Sequence, residues 1–456
     1  MPLSADSATA VVGGTLVSLG GSVRGDVLIV DDRIAAVGEV DTSGARVVDA
    51  SGCLVLPGAI DVHTHVFGGV PGDTRSALIG GTTSSLAFVD AEPGETPAQA
   101  ARRTLEEEMP QSQIDLAFHA VIWEPQSYRH GDLRAAAELG VGSVKLWLAY
   151  IELGIQADDD VAFSVIQEAA ELDMVVLAHC ENGRVIDVLT KQLVERGELG
   201  LGSLPRSRPI ELEAECVHRF LMMAELAGAE PYVVHVTGRG PLEEIEAAKR
   251  RGVPVHGEVC PHHLLFDVAD HGGPDGLSYV MTPPLRTADD RAALLAGLRD
   301  GGLDTYASDH CHLSMREKLA VADDFTQVGT GLPGIGARLP LGFGLGDLPV
   351  ERLVETACEA PARIFGLYPR KGVIAEGSDA DLVVWDPSAP STLTLDGIGD
   401  GLDWTPYDGM QVPGRIAQVF ARGDHVVVDG RWEGDGHQGE YLPSARVSPP
   451  SSLRQR

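Results

Sequence analysis

The sequence lacks cysteine pairs and long apolar runs. Its six cysteines are scattered through 456 residues without a C-x-x-C pair, so we expect reduced thiols and no disulfides, as in the cytoplasm. No apolar run approaches the roughly 20 residues that a membrane span needs, and the N-terminus has no basic segment followed by an apolar core. We therefore expect a cytoplasmic protein with no membrane partner.

Basic residues are also scarce. The chain has 35 Lys and Arg against 67 Asp and Glu, a formal net charge of -32. Because the acidic residues are spread along the chain rather than gathered in a tail, they indicate a solvated surface, for which nucleic acid is a poor partner. With 44% hydrophobic residues, the chain is long enough for a large core and a smaller second domain.

The apolar run 56–65 ends in a His-x-His pair. Such a run predicts a buried strand, and the two-residue period of a strand places His63 and His65 on the same side. Two histidines on one face form half of a metal site, although a pair of hydrogen-bonded core histidines is the alternative. The rest of the chain decides between the two.

Strand-like and helix-like segments alternate through the middle of the chain. This alternation predicts parallel βα units, and eight of them fit within 57–369, so we expect an α/β fold with a TIM-type (β/α)8 barrel there. Short apolar runs separated by acidic or glycine pairs fill 1–56 and 370–435, which predicts a small β-sandwich domain built from both chain ends. The Pro/Ser-rich end, 436–456, is expected to be a tail, either disordered or an oligomerisation arm.

Barrel enzymes carry their chemistry at the carboxyl ends of the strands. Six candidate ligands fall at such positions on five predicted strands: His63, His65, Lys145, His179, His235 and Asp309. Imidazole and carboxylate groups suit a divalent cation such as zinc, with manganese, cobalt or iron as alternatives. These residues exceed the needs of one catalytic metal, and a pair of metals would use them all if an anion bridged the pair.

Lys145 fits the bridging role only in a modified form. An ammonium cannot bridge two cations, whereas an uncharged amine that adds carbon dioxide becomes a carbamate with two oxygens. The alternative is a lysine that snorkels or pairs with a surface acid. The run 142–150 around Lys145 is largely apolar, and an unpaired ammonium would be costly there, which favours the carbamate.

Further short motifs follow one another along the chain. They occupy 56–65, 80–83, 143–145, 178–183, 207–209, 234–236, 258–262, 282–286, 308–311, 371–372 and 377–381. In this order they resemble the cyclic amidohydrolases of the amidohydrolase superfamily, which include hydantoinases, dihydropyrimidinases, allantoinases and dihydroorotases. The similarity extends from about residue 10 to about residue 435.

The resemblance implies a metal-dependent hydrolase that opens the amide C–N bond of a cyclic amide, such as a hydantoin or a dihydropyrimidine, by attack of a metal-bridging hydroxide. It also implies a homo-oligomer, a tetramer or a dimer. By resemblance, one metal is held by His63, His65, carboxylated Lys145 and Asp309. The other metal is held by Lys145, His179 and His235.

The resemblance also assigns residues to the substrate. Asp309 would carry the proton to the leaving nitrogen, and the phenol of Tyr150 would donate to the developing oxyanion. An ordinary half-buried aromatic is the alternative for Tyr150. Main-chain groups near Thr282 and Thr330 would bind the ring amide.

The motifs favour hydantoinase and dihydropyrimidinase within this group, chiefly through 145–150. Dihydroorotases usually carry an arginine where Phe67 stands, which makes that activity less favoured. The loop 66–73 is shorter than in typical hydantoinases, and Thr330 and Gly336 replace a usual asparagine and glutamate. These departures keep open an allantoinase or another specialised cyclic imide, lactam or ureide hydrolase.

Three other classes remain as alternatives. Some relatives have lost metal ligands and serve as scaffolds, so the fold alone does not establish catalysis, but all six ligand positions are intact here. A deaminase of the same superfamily is disfavoured by the segment around Lys145 and by 283–286. A metal-free binding protein would be excluded by bound metal.

Overall fold

The computed structural model describes residues 8–67, 69–273, 275–398 and 401–444. Gly68, in the loop after the His-x-His pair, and the predicted tail from residue 445 onward lie outside the described residues. Within the described ranges, no helix is both long enough and apolar enough to cross a membrane.

The described strands and helices follow in chain order. The strands are β1 Ala8–Ser18, β2 Gly21–Val30, β3 Arg33–Gly38, β4 Arg46–Asp49, β5 Leu54–Pro57, β6 Ala59–His65, β7 Thr82–Phe88, β8 Asp115–Val121, β9 Ser143–Trp147, β10 Val175–His179, β11 Glu230–Val233, β12 His256–Val259, β13 Thr305–Tyr306, β14 His310–Cys311, β15 Leu382–Asp386, β16 Ser391–Thr392, β17 Gln411–Val412, β18 Arg415–Ala421, β19 Asp424–Val428 and β20 Arg431–Trp432. The α-helices are α1 Val70–Ile79, α2 Pro97–Glu107, α3 Asp132–Glu138, α4 Asp159–Glu171, α5 Gly183–Glu195, α6 Leu204–Ser207, α7 Ile210–Ala227, α8 Arg239–Arg251, α9 Pro261–Leu265, α10 Ala288–Asp300, α11 Met315–Ala320, α12 Arg338–Gly342, α13 Val350–Val354, α14 Ala360–Ile364 and α15 Leu395–Ile398.

Strands from both chain ends form a separate domain that is mostly sheet. Its strand order is β20-β19-β18-β15-β5-β1-β2-β3, with β4 also beside β1. The two chain ends meet in the antiparallel pair of β5 and β15. A register shift between Val11 and Gly14 divides β1, so its first half pairs with β4 and its second half with β5. The bulge therefore lets one strand serve two neighbours.

The central sheet is parallel and has the order β13-β12-β11-β10-β9-β8-β7-β6-β14. Strands β7 and β8 are buried at every position, as expected for parallel strands covered on both faces. Most of the described strands of this sheet alternate with helices along the chain. The two outermost members of the sheet, β13 and β14, lie within the short stretch 305–311. The link between them carries the candidate ligand Asp309.

Two helices differ from the sequence-based expectation. Helix α1 begins at Val70, inside the predicted loop 66–73. Helix α5 starts with a glycine and contains several β-branched residues, which are weak helix formers, so its sequence alone does not predict a helix. Tertiary burial of Ile186 and Leu193 stabilises it, and the Asn182 side chain accepts a hydrogen bond from its first turn.

The first part of the predicted tail packs on the central sheet. The side chain of Leu442 is buried, and the ring of Tyr441 lies 4.9 Å from that of Phe118. The Glu440 amide donates to Asp115 Oδ1 at 2.7 Å. Residues 436–444 therefore extend the folded part of the chain past the sheet domain.

A buried ion cluster links the sheet domain to the start of β8. Lys371 Nζ lies 2.5 Å from Asp115 Oδ2, 2.6 Å from Asp381 Oδ2 and 2.9 Å from Asp379 Oδ2. Burial alone would lower the pKa of Lys371, but these three carboxylates outweigh burial and raise the pKa. The lysine is therefore held as a cation between the two parts of the protein.

Replacing Lys371 with Met should lower the free energy of unfolding by about 3–5 kcal/mol, because breaking a buried ion cluster leaves uncompensated charge. Denaturant titration would measure the change. Lys191→Met is the matched control, since Lys191 is exposed and forms a surface pair with Asp187 whose loss should cost less than about 1 kcal/mol. Equal stability of the two variants would contradict the assignment.

Candidate metal centre

The structure brings the six predicted metal ligands to one edge of the central sheet. They come from β6 (His63 and His65), β9 (Lys145), the last residue of β10 (His179), the turn after β11 (His235) and the link between β13 and β14 (Asp309). Five of these side chains line a cavity of about 210 Å3. Lys145 lies deeper, inside its strand, and is fully buried.

Asp309 connects the two histidines of the His-x-His pair. Its Oδ1 lies 3.0 Å from His63 Nε2 and 3.7 Å from His65 Nε2. The backbone of Asp309 is left-handed, with φ of 49°, a conformation that an aspartate adopts only when its surroundings impose it. The Asp61 carboxylate accepts a hydrogen bond from the Ser308 amide at 3.0 Å, which anchors this turn to β6.

His179 and His235 form the second group. His179 Nδ1 and His235 Nε2 are 3.0 Å apart, and burial lowers the pKa of both imidazoles, so both are uncharged. The other nitrogen of His179 donates to Glu181 Oε2 at 2.7 Å, and Glu181 is paired with Arg208. Because Nε2 of His179 is engaged by Glu181, Nδ1 is the nitrogen that can bind a metal.

Lys145 is buried without a hydrogen-bond partner for its Nζ among the described residues. The nitrogen lies 4.8 Å from the ring centroids of both Phe88 and Trp147. Burial lowers its pKa to about 8, although Glu258 and Asp309 oppose the shift. The pKa shift makes the uncharged amine more accessible than in an exposed lysine, and no described residue offers its nitrogen a hydrogen bond.

Glu258 contacts one residue from each group of predicted ligands, His63 and His235. Its Oε1 lies 2.6 Å from His63 Nδ1 and accepts from the His235 amide at 2.8 Å, and Tyr232 Oη donates to its Oε2 at 2.8 Å. Burial alone would lower the pKa of His63, but Asp309 and Glu258 raise it to about 9. The negative potential that attracts a proton to His63 also favours a metal cation.

The sequence analysis assigns no role to Glu258. The signal that could have identified it is a carboxylate within the strand-like run 253–259, where a buried acid needs a partner. The partners themselves are distant in sequence, so the pattern of one strand does not reveal them.

The predicted substrate residues Tyr150, Thr282 and Thr330 line the same cavity. Tyr150 Oη and Thr282 Oγ1 are 2.7 Å apart, and Thr282 Oγ1 lies 3.0 Å from Thr330 Oγ1. Burial raises the pKa of Tyr150, so its phenol remains a protonated donor. A second cavity of about 470 Å3 shares Tyr150, Leu153, Thr282 and Thr330 with the first, which gives the centre an outer chamber.

A second cluster of potential metal ligands lies nearby. Cys260, His262 and His263 place one donor atom each within 4.8 Å of the others, and all three are buried. His262 Nδ1 is 3.4 Å from Tyr407 Oη, and His263 Nε2 is 3.4 Å from the Pro283 carbonyl. Burial holds the pKa of the Cys260 thiol well above its usual value. The two contacts occupy one nitrogen of each histidine, and we interpret this cluster as packed core.

Comparison with known proteins agrees with the fold. Residues 54–426 match the amidohydrolase family, which defines the class as metal-dependent hydrolases with a binuclear centre. The chain belongs to the amidohydrolase family, and the resemblance found in the sequence is confirmed.

Individual relatives resemble the whole chain. A D-hydantoinase of Streptomyces coelicolor is 35% identical, with 96% of this chain and 98% of that protein aligned. A D-hydantoinase of Geobacillus stearothermophilus is 36% identical, with 95% and 96% aligned. The crystal structure of dihydropyrimidinase from Brevibacillus agri superposes with a TM-score of 0.91 at 33% identity, over 97% of this chain and all (100%) of that one.

Replacing Glu258 with Gln should weaken metal binding about 10–100-fold, the usual effect of losing the partner that orients a metal-binding histidine. The amide can still accept from His63, so geometry is kept while the negative charge is lost. Competition with a chelator would measure the affinity. Glu138→Gln, on the exposed face of α3, is the control, and equal affinities of the two variants would contradict this role.

Proposed function

We propose that the protein hydrolyses the C–N bond of a cyclic amide, with hydantoins and dihydropyrimidines as the favoured ring classes. The observation that carries the proposal is the gathering of four histidines and an aspartate around one cavity, together with a deeper buried lysine whose nitrogen has no hydrogen-bond partner among the described residues. Relatives named D-hydantoinase, at 34–36% identity over nearly the full chain, support the same reaction.

The side chains suit two divalent metal ions. His63, His65 and Asp309 would hold one ion, and His179 and His235 the other. Lys145, as a carbamate formed with carbon dioxide, would bridge them. Among the described residues Lys145 Nζ has no hydrogen-bond partner, which supports this assignment, because a buried polar group normally has one. Zinc is favoured, with manganese, cobalt or iron as alternatives. When bound, the metals supply hydroxide near neutral pH and polarise the substrate carbonyl.

The remaining steps belong to side chains of the cavity. Burial alone would raise the pKa of Asp309, but His63 and the other imidazoles hold it well below its usual value, so the carboxylate is ionised. By the family resemblance, Asp309 would take the proton of the attacking hydroxide. Asp309 would then deliver that proton to the leaving ring nitrogen. The protonated phenol of Tyr150 would donate to the oxygen that becomes negative. Main-chain groups near Thr282 and Thr330 would hold the ring amide.

The cavity favours a ring with an apolar substituent. Its walls include apolar side chains beside the ligands, Trp123, Trp147, Leu153, Ile155 and Met281. Phe67 stands at the position where dihydroorotases usually carry arginine, so this position supplies no positive charge for a substrate carboxylate, and its ring lies 6.0 Å from that of Phe118. Allantoin and other cyclic imides, lactams and ureides remain alternative substrates.

We extend the proposal to the architecture. Segment 305–311 would form an interrupted eighth strand, since β13 pairs with β12 and β14 pairs with β6, and this would close a TIM-type barrel over 57–369. Residues 1–56 and 370–435 would form a β-sandwich domain. A homo-oligomer, tetramer or dimer, rests on the family resemblance. A cytoplasmic location is supported by the six cysteines, which are all free thiols.

A panel of rings tests the function. Purified protein supplied with bicarbonate and zinc or manganese would be assayed for opening of dihydrouracil, hydantoin, phenylhydantoin, allantoin, dihydroorotate and succinimide. We expect hydantoin, phenylhydantoin or dihydrouracil to be opened fastest and dihydroorotate slowest. Protein that binds metal yet opens none of these rings would contradict the proposed substrates, and protein that binds no metal would indicate a scaffold.

Replacing Lys145 with Ala should remove most of the bound metal and lower kcat/KM by more than the 10–100-fold typical for loss of an outer partner. Metal content and turnover would be measured side by side. Isotope-labelled bicarbonate should give a carbamate signal in the native protein and none in the variant. Lys191→Ala, on the exposed face of α5, is the control. Full metal content and turnover in Lys145→Ala would rule out the bridge.

A further inference from the structure

Lys318 is a buried lysine outside the metal centre. It lies on α11, its side chain is 1% exposed, and its Nζ faces the ring of Trp404 at 4.7 Å. Among the described residues, its nitrogen donates to two main-chain carbonyls, those of Val280 at 3.1 Å and Gly331 at 2.8 Å. Burying a lysine that donates to carbonyls rather than to a carboxylate costs folding free energy, because its charge is not neutralised.

The two carbonyls belong to the segments that border the substrate cavity. Val280 lies two residues before Thr282, and Gly331 directly follows Thr330. The segments also contact each other, because the Gly331 amide donates to the Val280 carbonyl at 3.1 Å and the two threonine hydroxyls are 3.0 Å apart. One nitrogen therefore ties together two stretches of main chain that border the cavity.

Helix α11 holds Lys318 in place from outside the cavity. The Asp403 carboxylate accepts hydrogen bonds from the Met315 amide at 2.9 Å and from Ser314 Oγ at 3.2 Å, which caps the first turn. Trp404 Nε1 donates to the Leu313 carbonyl at 2.7 Å. The lysine is thus fixed by contacts that do not involve the metal ligands.

We propose that Lys318 is a positioning residue that sets the separation of the Thr282 and Thr330 segments so that their main-chain groups can bind the ring amide of the substrate. The inference rests on the proposed function. Two carbonyls need only two donors, and both the ammonium and the uncharged amine of a lysine supply at least two. The contact therefore survives deprotonation, which is relevant because burial lowers the pKa of Lys318 to about 7, opposed only by the Cys311 thiol.

Lys318→Met tests the proposal, because methionine keeps an apolar stem of similar length and removes the donors. We expect KM for the best ring of the panel to rise about tenfold, as for the loss of a hydrogen-bonding group, with kcat changed less than threefold and metal content unchanged. Lys249→Met is the control, since Lys249 also donates to two carbonyls, of Gly301 and Gly302, pairs with Asp304 and lines neither cavity. Its KM should equal that of the native protein.

Hydrogen exchange separates this inference from the proposed function. In Lys318→Met, peptides covering 328–333 should exchange faster than in the native protein, whereas peptides of β10 should not. If the native protein opens none of the rings, the proposed function is wrong. Independently of that result, exchange of 328–333 in Lys318→Met that is as slow as in the native protein would overturn the positioning role of Lys318. Faster exchange with an unchanged KM would overturn the role in substrate binding. Lys318→Arg, which keeps donors, should restore KM toward the native value, and a KM like that of Lys318→Met would also count against the proposal.

Discussion

Buried carboxylates around the histidines are the constraint on which the site depends. Asp309, Glu258 and Glu181 each contact an imidazole, and an ionised acid in a dry interior requires a cation or several donors. Glu181 has both a cation, Arg208, and a donor, His179. Together they outweigh burial and lower the pKa of Glu181 to about 2. The result is a concentrated negative potential at the carboxyl edge of the sheet, with imidazole nitrogens aimed into it.

The site also requires that the turns carrying its predicted residues hold their side chains in fixed positions. Tyr150, His235 and Asp309 all have positive φ, of 69°, 37° and 49°, and each follows a strand of the central sheet. Such conformations are costly for non-glycine residues and persist only where packing over-determines them. The Asp61 contact to the Ser308 amide and the burial of the strands provide that rigidity. The central sheet therefore stores strain at its functional edge, and its buried strands compensate for it.

The sequence was a good guide where the information is local. Alternation of apolar runs and helix-like segments predicts the parallel units, and the His-x-His pair stands out because both of its members share one strand. The same local view misses α5, whose weak intrinsic propensity is overcome by burial of Ile186 and Leu193. It also misses Glu258 and Lys318, whose importance comes from partners far away in sequence. Local pattern identifies ligands more easily than the residues that orient them.

Three buried lysines illustrate why context decides what a side chain does. Lys371 lies among three carboxylates that raise its pKa, and it serves as a structural cation. Lys145 faces two aromatic rings without a hydrogen-bond partner among the described residues, and burial lowers its pKa to about 8, so its amine is available for chemistry. Lys318 lies over one ring and donates to two carbonyls, and its donors suffice for the carbonyls in either protonation state. Burial disfavours the charged form of all three lysines, and the neighbouring groups determine whether the outcome is cohesion, reactivity or positioning.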